Sequence, residues 1–391
     1  MSDIIGDALF GDSVFKDETT LFPEFVPEKL PHREKEMRRL ASCMRPLLTG
    51  EFGTNIVVTG SAGVGKTATA KRTMDVFSKT AKESGRNINY EYYNCYTFRT
   101  KTAILRNLLS KKFHISTRGF SDEEILEMLM KRLEGENMHL LVALDEATML
   151  KGDDILTFMH LGEFFGYSRL SLILISRPVE WKTKLDRPLA GHIHEQIEFS
   201  GYSLQELVEI LTYRTRLAFK GSAITNDIIQ MVAEIASHTK NARHGIEILL
   251  RAGKLADYEG SREVTAEHIR EAKAAIYPEL RVDVLGELET HELLTLIAIT
   301  RRLRHSGISA TTIKEIQQNY RIACEEYQEK PRSAMSVRKY LDRIEKIGII
   351  GKVTGPIRGS KGRRSRITLY DVPASVLLER VTKLLDTEKP D

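Results

Sequence analysis

Residues 60 to 67 read GSAGVGKT and directly follow an apolar run. Gly60, Gly65, Lys66 and Thr67 have the G-x-x-x-x-G-K-[ST] spacing of a phosphate-binding loop, which joins a strand to a helix. Backbone N–H groups of such a loop surround phosphate oxygens, and the helix that follows directs the positive end of its dipole at them. The sequence therefore predicts a nucleoside triphosphate site and a strand–loop–helix unit around which the fold is built.

The residue types in this loop predict individual roles. Lys66 can reach the outer phosphates, and the hydroxyl of Thr67 can ligate Mg²⁺. We expect ATP or ADP to contact Gly60, Gly63, Val64, Gly65, Lys66, Thr67 and Ala68.

A second apolar run, at residues 139 to 144, is followed by the two carboxylates Asp145 and Glu146. In a parallel sheet, ligands collect at the carboxyl ends of the strands. We expect Asp145, together with Thr67, to form the metal site, with Asp145 holding Mg²⁺ through water. Glu146 is suited to orient or deprotonate the attacking water.

Length and composition limit the class of protein. A chain of 391 residues exceeds the usual size of one core, so two or three domains are expected. Its 41% hydrophobic and 29% charged residues are typical of a soluble globular protein. The three cysteines have no metal-ligand spacing, and neither a signal peptide nor a membrane-spanning run is apparent. We expect a cytoplasmic protein without a membrane partner.

The positive charge is concentrated near the C-terminus. Residues 331 to 370 contain eleven Lys or Arg and two acidic residues, a local charge of +9. Because the whole chain carries +4, the remainder carries −5. This asymmetry predicts a basic C-terminal module that binds a polyanion, attached to an acidic body.

Apolar runs alternate with helical patterns in the first half of the chain. The predicted strands are residues 55–59, 89–94, 139–144, 170–176 and 196–199. This alternation predicts an α/β domain with a parallel sheet and flanking helices. Ser121 with Glu124, and Ser203 with Glu206, have the spacing of capping boxes that begin helices. From Ser203 to about Ile276 the pattern is entirely helical.

The C-terminal region has the pattern of a winged helix-turn-helix. Helices are predicted at residues 290–304, 311–327 and 333–347, with strands at 349–353 and 366–370. The third helix has one apolar side, which leaves Ser336, Arg338, Lys339 and Arg343 to contact DNA. The hairpin tip between the strands is rich in glycine and cations, and adds Arg358, Lys361, Arg363 and Arg364 as DNA contacts.

Four further features, added to the two phosphate-site motifs, make the chain resemble the archaeal origin-recognition initiators among the AAA+ ATPases. That family is related to the eukaryotic origin-recognition and Cdc-type helicase-loading factors. The resemblance covers residues from about 22 to 385. Its features are the box at residues 26–34, an insertion at 114–121, the lid start at 201–214 and the second sensor motif at 241–244.

The resemblance implies roles for residues outside the two main motifs. Pro27, Leu30 and Arg33 would line the adenine pocket, and Tyr202 and Arg214 would contact the nucleotide. Arg243 would sense the terminal phosphates and complete a catalytic set with Lys66, Asp145 and Glu146. The insertion would touch DNA through Arg118, Gly119 and Ser121.

The chain departs from the family at the first sensor position. The family usually has an asparagine there, whereas this chain has Ser176-Arg177. Either the cation slows hydrolysis and the nucleotide acts as a long-lived switch, or the arginine points away and forms a salt bridge elsewhere. A strand ending in Ser-Arg is also similar to STAND-type signalling NTPases. Arg187 would act as a trans-acting finger only if protomers stack.

The domain assignment is a flexible segment at 1–20, an ATPase base at 21–200, a helical lid at 201–280 and a winged helix at 285–391. The resemblance implies an ATP-binding replication initiator, a slow ATPase that recognises and deforms duplex origin DNA and marks it for helicase recruitment. Its expected partners are origin DNA, a paralogous initiator and the replicative helicase. A STAND-type transcription regulator and an AAA+ ring loader or branch-migration ATPase stay open as alternatives.

Overall fold

The structure is a computed structural model. It describes residues 12–49, 53–160, 169–184, 187–276, 285, 288–304, 309–347, 349–357, 360–369 and 373–387. The chain divides into two compact units, each described below by itself. The base unit comprises Val26–Glu206 with Lys240–Ala242, and the lid–winged-helix unit comprises Met1–Phe25, Leu207–Thr239 and Arg243–Asp391. Within the described residues, no helix combines the length and apolarity needed to cross a membrane.

The base unit is built on a five-stranded parallel sheet with strand order β2-β3-β4-β1-β5. The sequence-predicted α/β fold is confirmed. Strands β1, β3 and β4 are almost wholly buried because helices cover both faces of the sheet. The strands are β1 (Asn55–Gly60), β2 (Ile88–Asn94), β3 (His139–Asp145), β4 (Leu170–Ser176) and β5 (Glu195–Phe199).

Eight α-helices and one short 3-10 helix (Ala147–Met149) accompany this sheet in the described part of the base. The capping box predicted at Ser121 is present, since its Oγ accepts from Glu124 N and the Glu124 carboxylate accepts from Ser121 N. The helices are α1 (Glu34–Met44), α2 (Pro46–Thr49), α3 (Lys66–Glu83), α4 (Lys101–Phe113), α5 (Asp122–Gly135), α6 (Gly152–Met159), α7 (Pro178–Lys184) and α8 (Arg187–Gly191).

The predicted helical lid has four helices: α9 (Leu204–Ala218), α10 (Asn226–Ser237), α11 (Ala242–Tyr258) and α12 (Ala266–Ile276). Sequence analysis assigned residues 1–20 to a flexible segment, but residues 13–21 are anchored on these helices. Phe15 stacks on Phe219 with ring centroids 4.8 Å apart, and Ser13 Oγ donates to Asp257. The apolar side chains of this short segment are buried, which outweighs its acidic composition.

The predicted winged helix-turn-helix is present. Its helices are α13 (Thr290–Arg304), α14 (Ile313–Glu326), α15 (Ala334–Ile347) and a further C-terminal helix, α16 (Ala374–Thr387). The sheet has the order β6-β8-β7, from β6 (Thr311–Thr312), β7 (Gly351–Ile357) and β8 (Ser360–Thr368). The wing strands are longer than predicted, since backbone pairing extends through the region assigned to a loop and needs no apolar side chains.

Candidate functional site

The phosphate-binding loop leaves the carboxyl end of β1 and enters α3. Gly63 and Gly65 have φ values of 71° and 89°, which non-glycine residues rarely adopt. A Cβ at Gly65 would lie 2.8 Å from the Tyr202 hydroxyl, and one at Gly63 would lie 1.6 Å from Asn241 Oδ1. The loop therefore requires glycine at both positions, for its backbone conformation and for the close approach of these side chains.

Lys66 lies at the start of α3, mostly buried, with its ammonium group folded over its own loop. Its Nζ donates to the carbonyl oxygens of Gly60 and Ser61, each at 2.8 Å. A mostly buried cation within a loop of glycines is the charge that the predicted phosphate site requires.

The metal-site residues predicted from sequence are in direct contact. Thr67 Oγ1 donates to Asp145 Oδ2 at 2.6 Å, while Asp145 Oδ1 accepts from Glu146 N at 3.0 Å. A hydroxyl and a carboxylate are hard oxygen donors, which Mg²⁺ prefers and usually supplements with water and phosphate oxygens. These donors at the end of a glycine loop fit a magnesium–nucleotide complex.

Sequence reasoning missed one contact at this site. Tyr92, on the neighbouring strand β2, donates to the same Asp145 oxygen at 2.8 Å. Asp145 is level with Asn94 in the parallel register, so Tyr92 lies near the same end of the sheet. The sequence signal that could have identified Tyr92 was a polar side chain two positions before the end of the strand next to β3.

Glu146, predicted to activate water, has an unusual environment. Its backbone is left-handed, with φ 52°, and its Oε2 is buried with no hydrogen-bond partner within the described residues. Burial, and next the charge of Asp145, raise the pKa of Glu146 above that of an ordinary glutamate. This environment agrees with the role predicted from the sequence, a carboxylate that accepts a proton from water.

Arg33, predicted to line the adenine pocket, is 3% exposed and supports the phosphate loop. Its Nε donates to Val64 O at 2.9 Å and its Nη2 to Ser200 O at 2.8 Å. The guanidinium carbon lies 3.9 Å from the centroid of the Tyr202 ring. Pro27 is buried and Leu30 is half-buried in the same box. Arg33 and Tyr202 thus clamp the loop that is predicted to hold the nucleotide.

Ser176 and Arg177, which replace the family's asparagine at the first sensor position, each have a local contact. Arg177 Nη1 lies 3.3 Å from Glu180 Oε1, one turn along α7, so the arginine forms a local salt bridge. Ser176 is buried, and its Oγ lies 3.4 Å from Thr148 Oγ1. The salt bridge of the second alternative is therefore present, and the Arg177 charge also lowers the pKa of Glu146, as the first alternative expects of a cation near the site. Arg187 begins α8, and its side chain lies outside the described part of the chain.

Two further nucleotide contacts implied by the resemblance belong to the lid–winged-helix unit. Arg214 on α9 is 6% exposed, with its guanidinium carbon 5.1 Å from the Phe25 ring centroid. Its Nε has no hydrogen-bond partner among the described residues. Burial lowers the pKa of Arg214 to about 10. Arg243 is exposed on the first turn of α11.

The residues predicted to touch DNA differ in their availability. Arg118 and Gly119 form an exposed turn in which Gly119 has φ 87°, whereas Ser121 is engaged as the cap of α5. On the winged helix, Arg338 and Lys339 are exposed on α15.

The other predicted contacts on the winged helix are partly engaged. Ser336 N donates to Ser333 Oγ, and Arg343 Nη1 lies 3.3 Å from Glu292 Oε1. Lys361, Arg363 and Arg364 lie on β8 with side chains outside the described part, and Arg358 lies entirely outside it. Met335 at the start of α15 is 71% exposed and was not among the predicted contacts.

Three family profiles match consecutive parts of the chain. They are an AAA domain at residues 52–185, a Cdc6 AAA+ ATPase-type lid domain at 208–274 and a CDC6 C-terminal winged helix domain at 283–379. Among curated relatives, ORC1-type DNA replication protein 2 of Sulfurisphaera tokodaii is 31% identical, covering 100% of this chain and 97% of the relative. The protein of the same name from Saccharolobus solfataricus is 33% identical, covering 95% and 93% respectively.

Solved structures resemble the whole chain. Cdc6p from Pyrobaculum aerophilum has a TM-score of 0.84 at 26% identity, covering 96% of this chain and 100% of that chain. The fold is shared by two Aeropyrum pernix proteins at 24% identity. ORC2 in ADPNP–ADP complexes has a TM-score of 0.61, covering 96% of this chain and 99% of its own. ORC1 in complex with DNA has a TM-score of 0.62, covering 96% and 98%.

Proposed function

The chain belongs to the archaeal Orc1/Cdc6 family of DNA replication initiators, and from this premise we propose that it is a nucleotide-dependent switch that binds duplex origin DNA. ATP or ADP occupies the base with Mg²⁺. The winged helix and the insertion at residues 114–121 bind and bend the DNA, which marks the origin for the replicative helicase. The expected partners are origin DNA, a paralogous initiator and that helicase.

The observation that carries the nucleotide part is the 2.6 Å hydrogen bond between Thr67 and Asp145 beside the glycine loop. It joins residues 78 positions apart in the arrangement that a metal–nucleotide site requires. Mg²⁺ bound with the nucleotide would neutralise charge on the phosphate oxygens. Lys66 supplies a second positive charge, and Glu146 accepts a proton from the attacking water. ADP and ADPNP complexes of the similar Aeropyrum pernix ORC2 support this assignment.

The DNA part rests on the exposed face of α15. Arg338 and Lys339 are exposed on this helix, while Val337 and Leu341 are buried and hold it on the winged-helix core. A helix with a buried apolar side and an exposed basic side suits the major groove. The Aeropyrum pernix ORC1 complex with DNA, which has the same fold, supports this assignment.

A buried joint between the lid and the winged helix supports the coupling of the two activities. Arg270 on α12 is 0% exposed and donates to the carbonyl oxygens of Leu369, Leu303 and Ser309 in the winged-helix region. Glu267 on the same helix accepts from the backbone N–H groups of Ala374 and Ser375 at the start of α16. We propose that the lid and the winged helix move as one body when nucleotide binds.

Nuclease footprinting on fragments of the host genome tests the DNA assignment. With excess nonspecific competitor at about 0.15 M salt, we expect discrete protected sites within a replication-origin region. If about four to six cations reach phosphates, log K should fall with log salt at a slope of about −4 to −5. Protection confined to ordinary promoters would favour a transcription regulator, and loss of all protection in competitor would contradict site recognition.

Substitution of Lys66 tests the nucleotide assignment. Lys66→Ala should weaken ATP binding by at least about tenfold, the loss of roughly one charge-assisted hydrogen bond, while winged-helix binding to DNA persists. The matched control is Lys82→Ala, on the exposed last turn of the same helix. Unchanged ATP affinity in Lys66→Ala, measured by calorimetry, would overturn the assignment.

A further inference from the structure

Tyr92 contacts the predicted metal site although it belongs to neither phosphate-site motif. Its hydroxyl donates to Asp145 Oδ2 at 2.8 Å, and the same oxygen accepts from Thr67 Oγ1 at 2.6 Å. Asp145 Oδ1 accepts from Glu146 N at 3.0 Å. Three donors thus determine the plane of this carboxylate, and Tyr92 is the one that comes from a different strand.

The Tyr92 ring is itself held in place by α3. Lys71 Nζ lies 3.6 Å from the ring centroid, within the range of a cation–π contact. Lys71 is four residues after Thr67, so both side chains lie on the same face of the helix. One helix therefore supplies the predicted metal-binding hydroxyl and the cation that positions the tyrosine.

The hydroxyl of Tyr92 is a stable donor. Burial, and next the charge of Asp145, raise the pKa of Tyr92 far above its ordinary value. The phenol therefore keeps its proton throughout the physiological range. A neutral phenol orients the carboxylate without adding a charge that would compete for the metal.

The neighbouring tyrosines on β2 have different surroundings. Tyr90, two residues earlier and so on the same face, has its hydroxyl 3.5 Å from Asp75 Oδ1. Tyr93 is 3% exposed and packs edge-on against Phe98, with ring centroids 5.1 Å apart. Of these three tyrosines, Tyr92 is the one whose hydroxyl is seen to hydrogen-bond to the predicted metal site.

We propose that Tyr92 is a positioning residue for the metal of the nucleotide site. Its hydrogen bond keeps the Asp145 carboxylate turned so that Oδ2 remains on Thr67, in the orientation that receives hydrated Mg²⁺. This inference rests on the proposed nucleotide function. Residues that orient metal ligands typically change metal affinity by about 10- to 100-fold when removed.

Calorimetric titration of ADP into the nucleotide-free full-length protein, in excess MgCl₂ and again in EDTA, tests the proposal. In the wild type, ADP should bind more tightly with Mg²⁺ than in EDTA. Tyr92→Phe should leave the affinity in EDTA unchanged and reduce the gain from Mg²⁺ about tenfold. Tyr90→Phe, which removes a hydroxyl from the same face of the same strand, should retain the full gain.

The outcomes separate the proposal from the function on which it rests. If the wild type fails to bind ADP, the nucleotide function is wrong, whatever Tyr92 does. A full Mg²⁺ gain in Tyr92→Phe, or an equal loss of affinity in Mg²⁺ and EDTA, would overturn the positioning role.

Two measurements keep the test independent of folding defects. The electron paramagnetic resonance spectrum of Mn²⁺ bound with ADP should differ between wild type and Tyr92→Phe, and match the wild type in Tyr90→Phe. Lys71→Met leaves the hydroxyl in place and loosens the ring, so it should reduce the Mg²⁺ gain by a smaller factor in the same direction. Spectra and Mg²⁺ gains in ADP affinity that match the wild type in both Tyr92→Phe and Lys71→Met would contradict the proposal.

Discussion

The first and last helices of the lid each bury an arginine, but the two environments differ. Arg214 on α9 is 6% exposed, and its Nε has no hydrogen-bond partner among the described residues. Arg270 on α12 is 0% exposed and donates to three backbone carbonyls and to Glu267. Burying a cation is destabilising unless it is paired, so the incomplete set of partners leaves Arg214 a donor for a ligand, whereas the complete set makes Arg270 a structural joint.

Two glutamates repeat this contrast. Glu146, at the predicted nucleotide site, has a buried oxygen with no partner within the described residues, and its pKa is raised, first by burial. Glu315, at the start of α14, accepts hydrogen bonds from Thr311, Thr312 and Arg302. Of these two glutamates, the predicted catalytic residue is the one whose charged form the fold leaves incompletely stabilised.

The largest expected effect is on stability, from replacing Arg270, the arginine with a full set of partners. Arg270→Met should lower the free energy of unfolding by about 3–5 kcal/mol, because Glu267 and the three carbonyls lose their buried donor. Urea unfolding followed by far-ultraviolet circular dichroism measures the change, with signal from the helices of both units. Trp181, the single tryptophan, reports separately on the base unit.

The matched control for this prediction is Arg251→Met on α11. Arg251 is exposed, so its replacement should change the free energy of unfolding by less than about 0.5 kcal/mol. Equal unfolding midpoints for Arg270→Met and Arg251→Met would show that the joint contributes no stability.

The next effect is on hydrolysis. Glu146→Gln should lower the rate about 100-fold while ADP affinity stays near the wild-type value, because the amide cannot accept the proton. In the wild type, the rate should fall with decreasing pH at a higher pH than an ordinary glutamate would give, since Glu146 must be ionised and its pKa is raised.

A steady-state phosphate-release assay across pH measures both effects on Glu146. Arg177→Gln should move the acid limb further upward, because the Arg177 charge lowers the pKa of Glu146. A rate in Glu146→Gln equal to the wild type would remove this residue from the mechanism.

Replacing Arg214, which lacks a full set of partners, should have the opposite effect on stability to replacing Arg270. Arg214→Met should leave the free energy of unfolding unchanged or raise it, since it removes an incompletely paired buried cation. ATP affinity should fall about tenfold, about 1.4 kcal/mol, if Arg214 contacts the nucleotide as the family resemblance implies. Calorimetry and urea unfolding on the same variant check both parts, and a loss of stability as large as that in Arg270→Met would contradict the comparison.

Features set by local sequence were predictable. The five strands, the two capping boxes at Ser121 and Ser203, and the three helices of the helix-turn-helix follow from apolar periodicity and short spacings, and all are present. The strand–loop–helix motif likewise predicted that Thr67 and Asp145 act together, and the structure joins them. Each of these features depends either on residues close together in the sequence or on a motif whose residues serve one known site.

Contacts between distant segments that belong to no shared motif were not predictable. The bond from Tyr92 to Asp145 spans 53 residues, and the pair Arg343–Glu292 spans 51. Arg270 occupies a helix position that, in sequence, is indistinguishable from that of a solvated surface arginine. It is buried because carbonyls from the winged-helix region meet it, and no local pattern records those acceptors.

The smallest expected effect concerns Glu315, the complete counterpart of Glu146. Partial burial alone would raise its pKa, but hydrogen bonds from Thr312, Arg302 and Thr311 outweigh it and lower the pKa of Glu315 to about 2. Its stabilising contribution is therefore fully present above the unfolded pKa of about 4.3 and is lost as pH falls toward 2. Glu315→Gln should lower the free energy of unfolding at neutral pH by about 1 kcal/mol, the usual value of a helix cap. Urea unfolding at several pH values should show the difference from wild type shrinking below about pH 4, whereas a pH-independent difference would mean that the carboxylate charge plays no part in the cap.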